Sequence, residues 1–149
     1  MANLCIIPAR GGSKRIPRKN IKEFLGKPII AYSIEYAQSS GLFDQIIVST
    51  NDHEIMEVAL KYGAKVPFFR SASNSNDFAT LADVVDEVKN DLLEREEVYQ
   101  YICCILPTAP LISVKHIAET FEIIKGPEID SVRPIVKFSY PIQRAFRFK

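Results

Sequence analysis

Short apolar runs separated by helix-length stretches constrain this chain more than any other feature. Leu4 to Pro8 and Gln45 to Thr50, the latter containing Ile46, Ile47 and Val48, are continuous rather than alternating. Such runs are expected of strands buried on both faces. Val66 to Phe69, Tyr99 to Leu106 and Asp130 to Phe138 predict a third, fourth and fifth strand.

Helices are predicted between them. Pro28 suits a first helical turn, and Ile30, Ile34 and Ala37 recur on one face until Ser39, Ser40 and Gly41 end the pattern. Asn51, with Glu54 three residues on, is expected to cap a second helix whose buried stripe is Ile55, Val58, Ala59 and Tyr62, stopped by Gly63. After a polar loop from Ser71 to Asn76, Thr80 and Asp83 form a capping box. The helix they open has Leu81, Val84, Val85, Val88 and Leu92 on its core face, and a last helix is expected from about Ser113 to Lys125. Strand and helix alternate throughout, which predicts a Rossmann-like three-layer α/β/α fold with a mostly parallel sheet. One domain over residues 1–149 is expected. Ligands of such open sheets bind outside the carboxyl ends of the strands. The loop after strand one, the turn after Thr50, the segment after Arg70 and the turn Pro107-Thr108-Ala109-Pro110 all fall at that edge.

The first of these loops carries the chemistry. Between Arg10 and Lys22 stand six basic residues, Arg10, Lys14, Arg15, Arg18, Lys19 and Lys22, with no carboxylate among them, in a chain of formal net charge +1. Gly11 and Gly12 let backbone N–H groups approach an anion and permit positive φ. Ser13 adds a hydroxyl donor, Arg10 a planar fork for two phosphate oxygens, and Lys14 and Lys19 mobile charges that can follow a leaving group. A triphosphate matches this set best. Its spacing is neither a Walker A loop nor the dinucleotide glycine fingerprint, which removes most support from ATPase, kinase and NAD readings.

Other classes find little to build on. Cys5, Cys103 and Cys104 lie in apolar runs and read as reduced, buried thiols. His53 and His116 have no partners at ligand spacing, and Phe24, Phe43, Phe68, Phe69 and Phe121 read as core. Asp83, Asp86, Glu87 and the Glu94 to Glu97 cluster read as a solvated helix side. No apolar stretch has the length of a bilayer span or a signal peptide, so a cytoplasmic location without membrane association is expected.

The stretch Ile7-Pro8-Ala9-Arg10-Gly11-Gly12-Ser13-Lys14, followed by Ile16-Pro17, Lys19-Asn20-Ile21 and Gly26-Lys27-Pro28, resembles the opening motif of the cytidylyltransferases that activate nonulosonic, sialic-type sugars with CTP. Ile46 to Thr50, Gly63-Ala64 and the Pro107-Thr108-Ala109-Pro110 turn resemble the same family in the same order. The resemblance spans essentially the whole chain, although the family's chain is longer and this one stops at Lys149. It implies a nucleotide-diphospho-sugar transferase-like fold, with Arg10, Gly11, Gly12, Ser13, Lys14, Lys19 and Asn20 at the triphosphate. It also implies Arg70 near the base and Thr80 near the nucleotide. Tyr140-Pro141-Ile142-Gln143-Arg144-Ala145, with Arg15 and Arg18, is similar to the branch that activates pseudaminic acid, which implies Gln143 and Arg144 near the acceptor sugar.

That likeness further implies Mg²⁺, with its acidic ligands beyond residue 149, and a homodimer in the full-length form. The partners it implies are CTP and a nine-carbon keto sugar acid. Arg10 and Lys19 would then be catalytic, stabilising the departing pyrophosphate. The rival acceptors are N-acylneuraminate and other keto-deoxy sugars. Rivals of another class are an inactive fragment and a non-catalytic basic module for nucleic acid, although few aromatics interleave with the basic residues.

Overall fold

The computed structural model describes residues 2–135 and 137. Its elements are β1 (Ala2–Pro8), a 3₁₀ turn (Lys19–Ile21), β2 (Glu23–Phe24), β3 (Lys27–Pro28), α1 (Ile29–Ser40), β4 (Gln45–Ser49), α2 (His53–Lys61), α3 (Leu81–Leu93), β5 (Tyr99–Cys104) and α4 (Val114–Ile124). They fall into two compact units, Met1–Ala118 and Glu119–Lys149. Among the described residues no helix is long and apolar enough to cross a membrane.

In the first unit β1 lies between β4 and β5, parallel to both, with Leu4 opposite Gln45 and Pro8 opposite Ser49. Its central position explains the unbroken apolar run, because both faces are covered. Cys5, Ile7 and Ala9 point into one core with Ile30, Ile34 and Ala37 of α1, Ile55 and Ala59 of α2 and Ile117 of α4. Leu4 and Ile6 point the other way, with Ile47, against Val88 and Leu92 of α3. This period-two split of one strand between two helical layers is the expected three-layer α/β/α arrangement. All three strands run the same way, so Pro8, Ser49 and Cys104 finish on one edge.

Among the described residues, two predicted strands do not form. Val66 to Phe69 reduces to a single parallel bridge between Ile47 and Lys65. Lys65 exchanges its N–H and C=O with Ile46 and Val48 at 2.8 and 2.9 Å, but Pro67 has no amide to continue the ladder, and contact resumes only where Arg70 N–H donates to the Thr50 carbonyl at 2.8 Å. In the second unit no strand forms over residues 130–135, a run that Pro134 interrupts. Residues 138–149, including the expected acceptor residues Gln143 and Arg144, lie outside the described residues.

A hairpin absent from the sequence reading joins the basic loop to α1. β2 and β3 pair antiparallel around Leu25 and Gly26, whose φ angles of 49° and 87° are those of a two-residue turn matched to strand twist. Pro28 consequently stands just before α1 rather than in its first turn.

Ile34 of α1 is fully buried between the helical layer and β1. Ile34→Ala is expected to cost about 2–5 kcal/mol, read as a lower urea midpoint at an unchanged m-value.

Candidate active site

The basic loop leaves β1 at the carboxyl edge and is tied down on its first half by backbone. Ala9 N–H donates to the Ser49 carbonyl at 2.9 Å, and Gly11 N–H donates to Asn51 Oδ1 at 3.0 Å. Asn51 therefore fastens the loop and does not cap α2. The cap is Asp52, whose Oδ1 accepts from Glu54 and Ile55 N–H at 3.0 and 3.1 Å.

Asp52 also explains Gly11. A Cβ at Gly11 would stand 2.5 Å from Asp52 Oδ2 and 2.9 Å from its Cβ, so close approach demands glycine there. The positive φ anticipated for the glycine pair is not used. Within the loop it falls at Arg18, with φ 54°, while a Cβ on Gly12 would meet nothing within 4 Å. The Arg18 guanidinium meets both Asp52 oxygens, at 2.5 and 3.0 Å, and also contacts Glu54. The Arg18 hydrogen bonds are the largest cause holding the Asp52 carboxyl below the usual carboxylate range, and the α2 amides add to them.

Asn20, 4% exposed, closes the loop from its far end by donating Nδ2–H to the Arg10 carbonyl at 2.9 Å. That bond fixes the amide orientation and leaves Oδ1 sealed, without a hydrogen-bond partner among the described residues.

Above the sheet edge this loop, the segment following Arg70, the start of α3 and the turn after β5 enclose a cleft of ≈ 720 Å³. Arg10, Ser13, Lys14, Lys19 and Asn20 line it, as do Arg70 and Thr80. These sequence-predicted nucleotide residues are thus brought together, whereas Gly11, whose N–H is taken by Asn51, and Gly12 are not among the lining residues. Arg15 lines the cleft too, and Leu106, Pro107 and Thr108 form the side nearest β5. Ser33 and Tyr36 of α1 hold that turn through the Leu106 and Pro110 carbonyls, at 2.8 and 3.2 Å.

Arg70 is the least exposed cation of the cleft, at 7%. Its Nε donates to Ser49 Oγ at 2.9 Å and its Nη2 to the Ser49 carbonyl. Burial pulls its guanidinium down to about 10, against the attraction of Glu87, and it remains cationic at neutral pH. The Thr80 hydroxyl is engaged in its capping box, accepting from Asp83 N–H at 3.2 Å and donating to Asp83 Oδ2 at 2.8 Å.

Sequence reasoning missed the acidic side of the cleft. Asp77 lies 2.8 Å from Arg10 Nη2 and also contacts Lys14, while the Asn76 carbonyl accepts from Arg10 Nη1 at 2.7 Å. No signal in the basic run announces Asp77, because it arrives on a distant loop. Glu87, read as solvated, instead accepts from Ser71 N–H and Asn74 Nδ2, both at 2.7 Å, and anchors that loop. Cys5 is buried as expected, whereas Cys104 is exposed. Phe24 and Phe69 are likewise exposed rather than core, resting on Tyr32 and His53.

Mg²⁺ prefers several oxygen ligands in octahedral array. Among the described residues Asp77 is the sole carboxylate lining the cleft, and it is already committed to two cations. No cluster of three His, Cys, Asp or Glu suited to a metal occurs among the described residues. This donor set does not fit the ion by itself.

The fold and the cleft define a three-layer α/β protein that gathers five basic side chains around one cleft at the carboxyl edge of a parallel sheet. A family model described as cytidylyltransferase matches residues 4–139, and the chain belongs to that family. The pseudaminic acid cytidylyltransferase of Campylobacter jejuni subsp. jejuni serotype O:23/36 (strain 81-176) is 51% identical over 146 residues, covering 98% of this chain and 63% of that protein. The CMP-N,N'-diacetyllegionaminic acid synthase of Legionella pneumophila is 36% identical over 137 residues, covering 91% of this chain and 59% of that one. The chain therefore spans under two thirds of the length of these relatives. Among solved structures, CMP:2-keto-3-deoxy-manno-octonic acid synthetase complexed with CTP matches with a TM-score of 0.70 at 22% identity, over 84% of this chain and 48% of that one, and shares the fold.

Gly11→Ala is expected to displace Asp52 and lower the urea midpoint by the equivalent of about 1–3 kcal/mol. The depressed Asp52 pKa contributes stability that is present above the unfolded carboxylate value and lost as pH falls through the folded one. Asp52→Asn should accordingly flatten the loss of stability on acidification below about pH 4, measured by urea unfolding across pH.

Proposed function

We propose that the cleft binds CTP and that the whole protein transfers CMP to a nonulosonic acid, pseudaminic acid before N-acylneuraminate or other keto-deoxy sugars. The observation that carries this is the gathering of Arg10, Lys14, Lys19 and Arg70 around one cleft, in a chain of the cytidylyltransferase family. The anomeric hydroxyl of the sugar attacks the α-phosphorus in line, an O–P bond forms, the bond to pyrophosphate breaks, and the hydroxyl proton is released.

Arg10 and Lys19 meet charge that grows on the departing pyrophosphate, which favours the transition state over the bound substrate. Lys14 and Ser13 hold the triphosphate. Asn20 acts through Arg10, since its donor is occupied by that residue's carbonyl. Arg70 and Thr80, which line the same cleft, are the proposed contacts to the nucleoside part. Gln143 and Arg144 are the proposed acceptor contacts, the Arg144 fork matching a sugar carboxylate. A divalent cation, Mg²⁺, is proposed for the whole protein, and the full-length form is proposed to be a cytoplasmic homodimer that binds neither nucleic acid nor membrane.

Calorimetry with CTP, ATP, UTP and a single-stranded oligonucleotide tests the nucleotide reading. Tight binding of CTP alone is expected, and oligonucleotide binding that weakens steeply with salt would replace it with a nucleic-acid module. Product analysis with a panel of acceptor sugars separates pseudaminate from neuraminate. Lys19 lines the cleft with an exposed side chain, so little of the fold rests on it. Lys19→Ala should therefore lower turnover by about ten- to a hundredfold while shifting folding stability by no more than about 0.5 kcal/mol. Equal loss of both would count against its assigned role.

A further inference from the structure

Asp77 engages two of the cations that line the cleft. Its Oδ1 is 2.8 Å from Arg10 Nη2, its Oδ2 contacts Lys14 Nζ, and the preceding Asn76 carbonyl takes Arg10 Nη1 at 2.7 Å. The Arg10 fork, which matches two phosphate oxygens, is thus filled by two oxygens of the chain itself. Lys14 first and Arg10 second hold the Asp77 carboxyl below the usual carboxylate range, so it is anionic at neutral pH.

The loop that carries Asp77 is anchored at its base by contacts that do not involve Arg10 or Lys14. Glu87 of α3 holds Ser71 and Asn74 at its base, both at 2.7 Å. Near its crest Asn76 Oδ1 accepts from Phe78 and Ala79 N–H at 2.8 and 2.9 Å. Among the described residues, the bonds made by Asp77 and the Asn76 carbonyl are what tie this crest to the basic loop. Exposed ion pairs of this kind are individually weak, and a polyphosphate offers the same cations more charge than one carboxylate does.

We propose that Asp77 is an internal competitor for the phosphate seat, displaced from Arg10 and Lys14 by an incoming nucleoside triphosphate and returning as pyrophosphate leaves. The competition lowers the apparent affinity of every ligand that uses the seat by one common factor, and leaves untouched a ligand that does not reach it. It therefore disfavours retention of the product pyrophosphate as well as entry of weakly charged anions. This inference rests on the CTP reading of the same cleft.

The test is calorimetric titration of the wild type and Asp77→Asn with CTP, inorganic tripolyphosphate and cytidine, with thermal unfolding of both proteins to establish that each is folded. Asp77→Asn is expected to bind CTP and tripolyphosphate roughly two- to fivefold more tightly, with cytidine unchanged. Unchanged or weaker binding of both phosphates overturns the proposal and makes Asp77 a residue that holds Arg10 and Lys14 in place for the ligand. Equal tightening of cytidine overturns it too, because the effect would not belong to the seat. A wild type that binds tripolyphosphate but not CTP, with the variant binding tripolyphosphate more tightly, upholds the competition and removes the cytidylyltransferase reading. Binding of neither phosphate by either protein overturns both.

Discussion

The carboxylate of Asp52 is the point on which the site depends. One side chain satisfies two orphan amides at the start of α2, grips the Arg18 guanidinium with both oxygens and fills the space that a side chain at Gly11 would need. A loop rich in like charges repels itself and would otherwise stand away from the fold. Here its near end is bonded to Ser49 and Asn51, and its far end is held by Arg18. The basic loop is consequently docked on the β4–α2 turn, and Arg10, Lys14, Arg15 and Lys19 line the cleft.

The cations of that cleft differ in what surrounds them. Arg70 is buried and held by Ser49, so its direction is set by the sheet edge. Arg10 and Lys14 are shared with Asp77, whereas Lys19 is exposed. A polyanion entering the cleft would thus meet one rigid charge, two exposed ones, Arg15 and Lys19, and two that must exchange partners. Rigid donors cost little reorganisation when charge develops, while exchangeable ones allow product to leave.

Much of this was legible from residue order. The unbroken apolar runs, the Thr80–Asp83 capping box and the position of the glycine-basic loop after the first strand each follow from local chemistry, and local chemistry survives folding. The failures are equally specific. Val66 to Phe69 has strand composition, but Pro67 denies the ladder an amide. Asn51 and Asp52 are adjacent cap residues, and only the approach of Gly11 and Arg18 decides which of them caps. Phe24 and Phe69 are apolar enough for a core, yet they lie at positions that the helical layers do not cover.

The sequence alone determined the α/β alternation, the edge of the sheet at which a ligand would enter and the sign of the charge waiting there, because periodicity, caps and composition act over a few residues. The tertiary structure alone decided which charges remain available to a ligand. Asp52 and Asp77 come from other parts of the chain to meet Arg18, Arg10 and Lys14, and a pairing made across the fold leaves no mark on the spacing of the residues that make it.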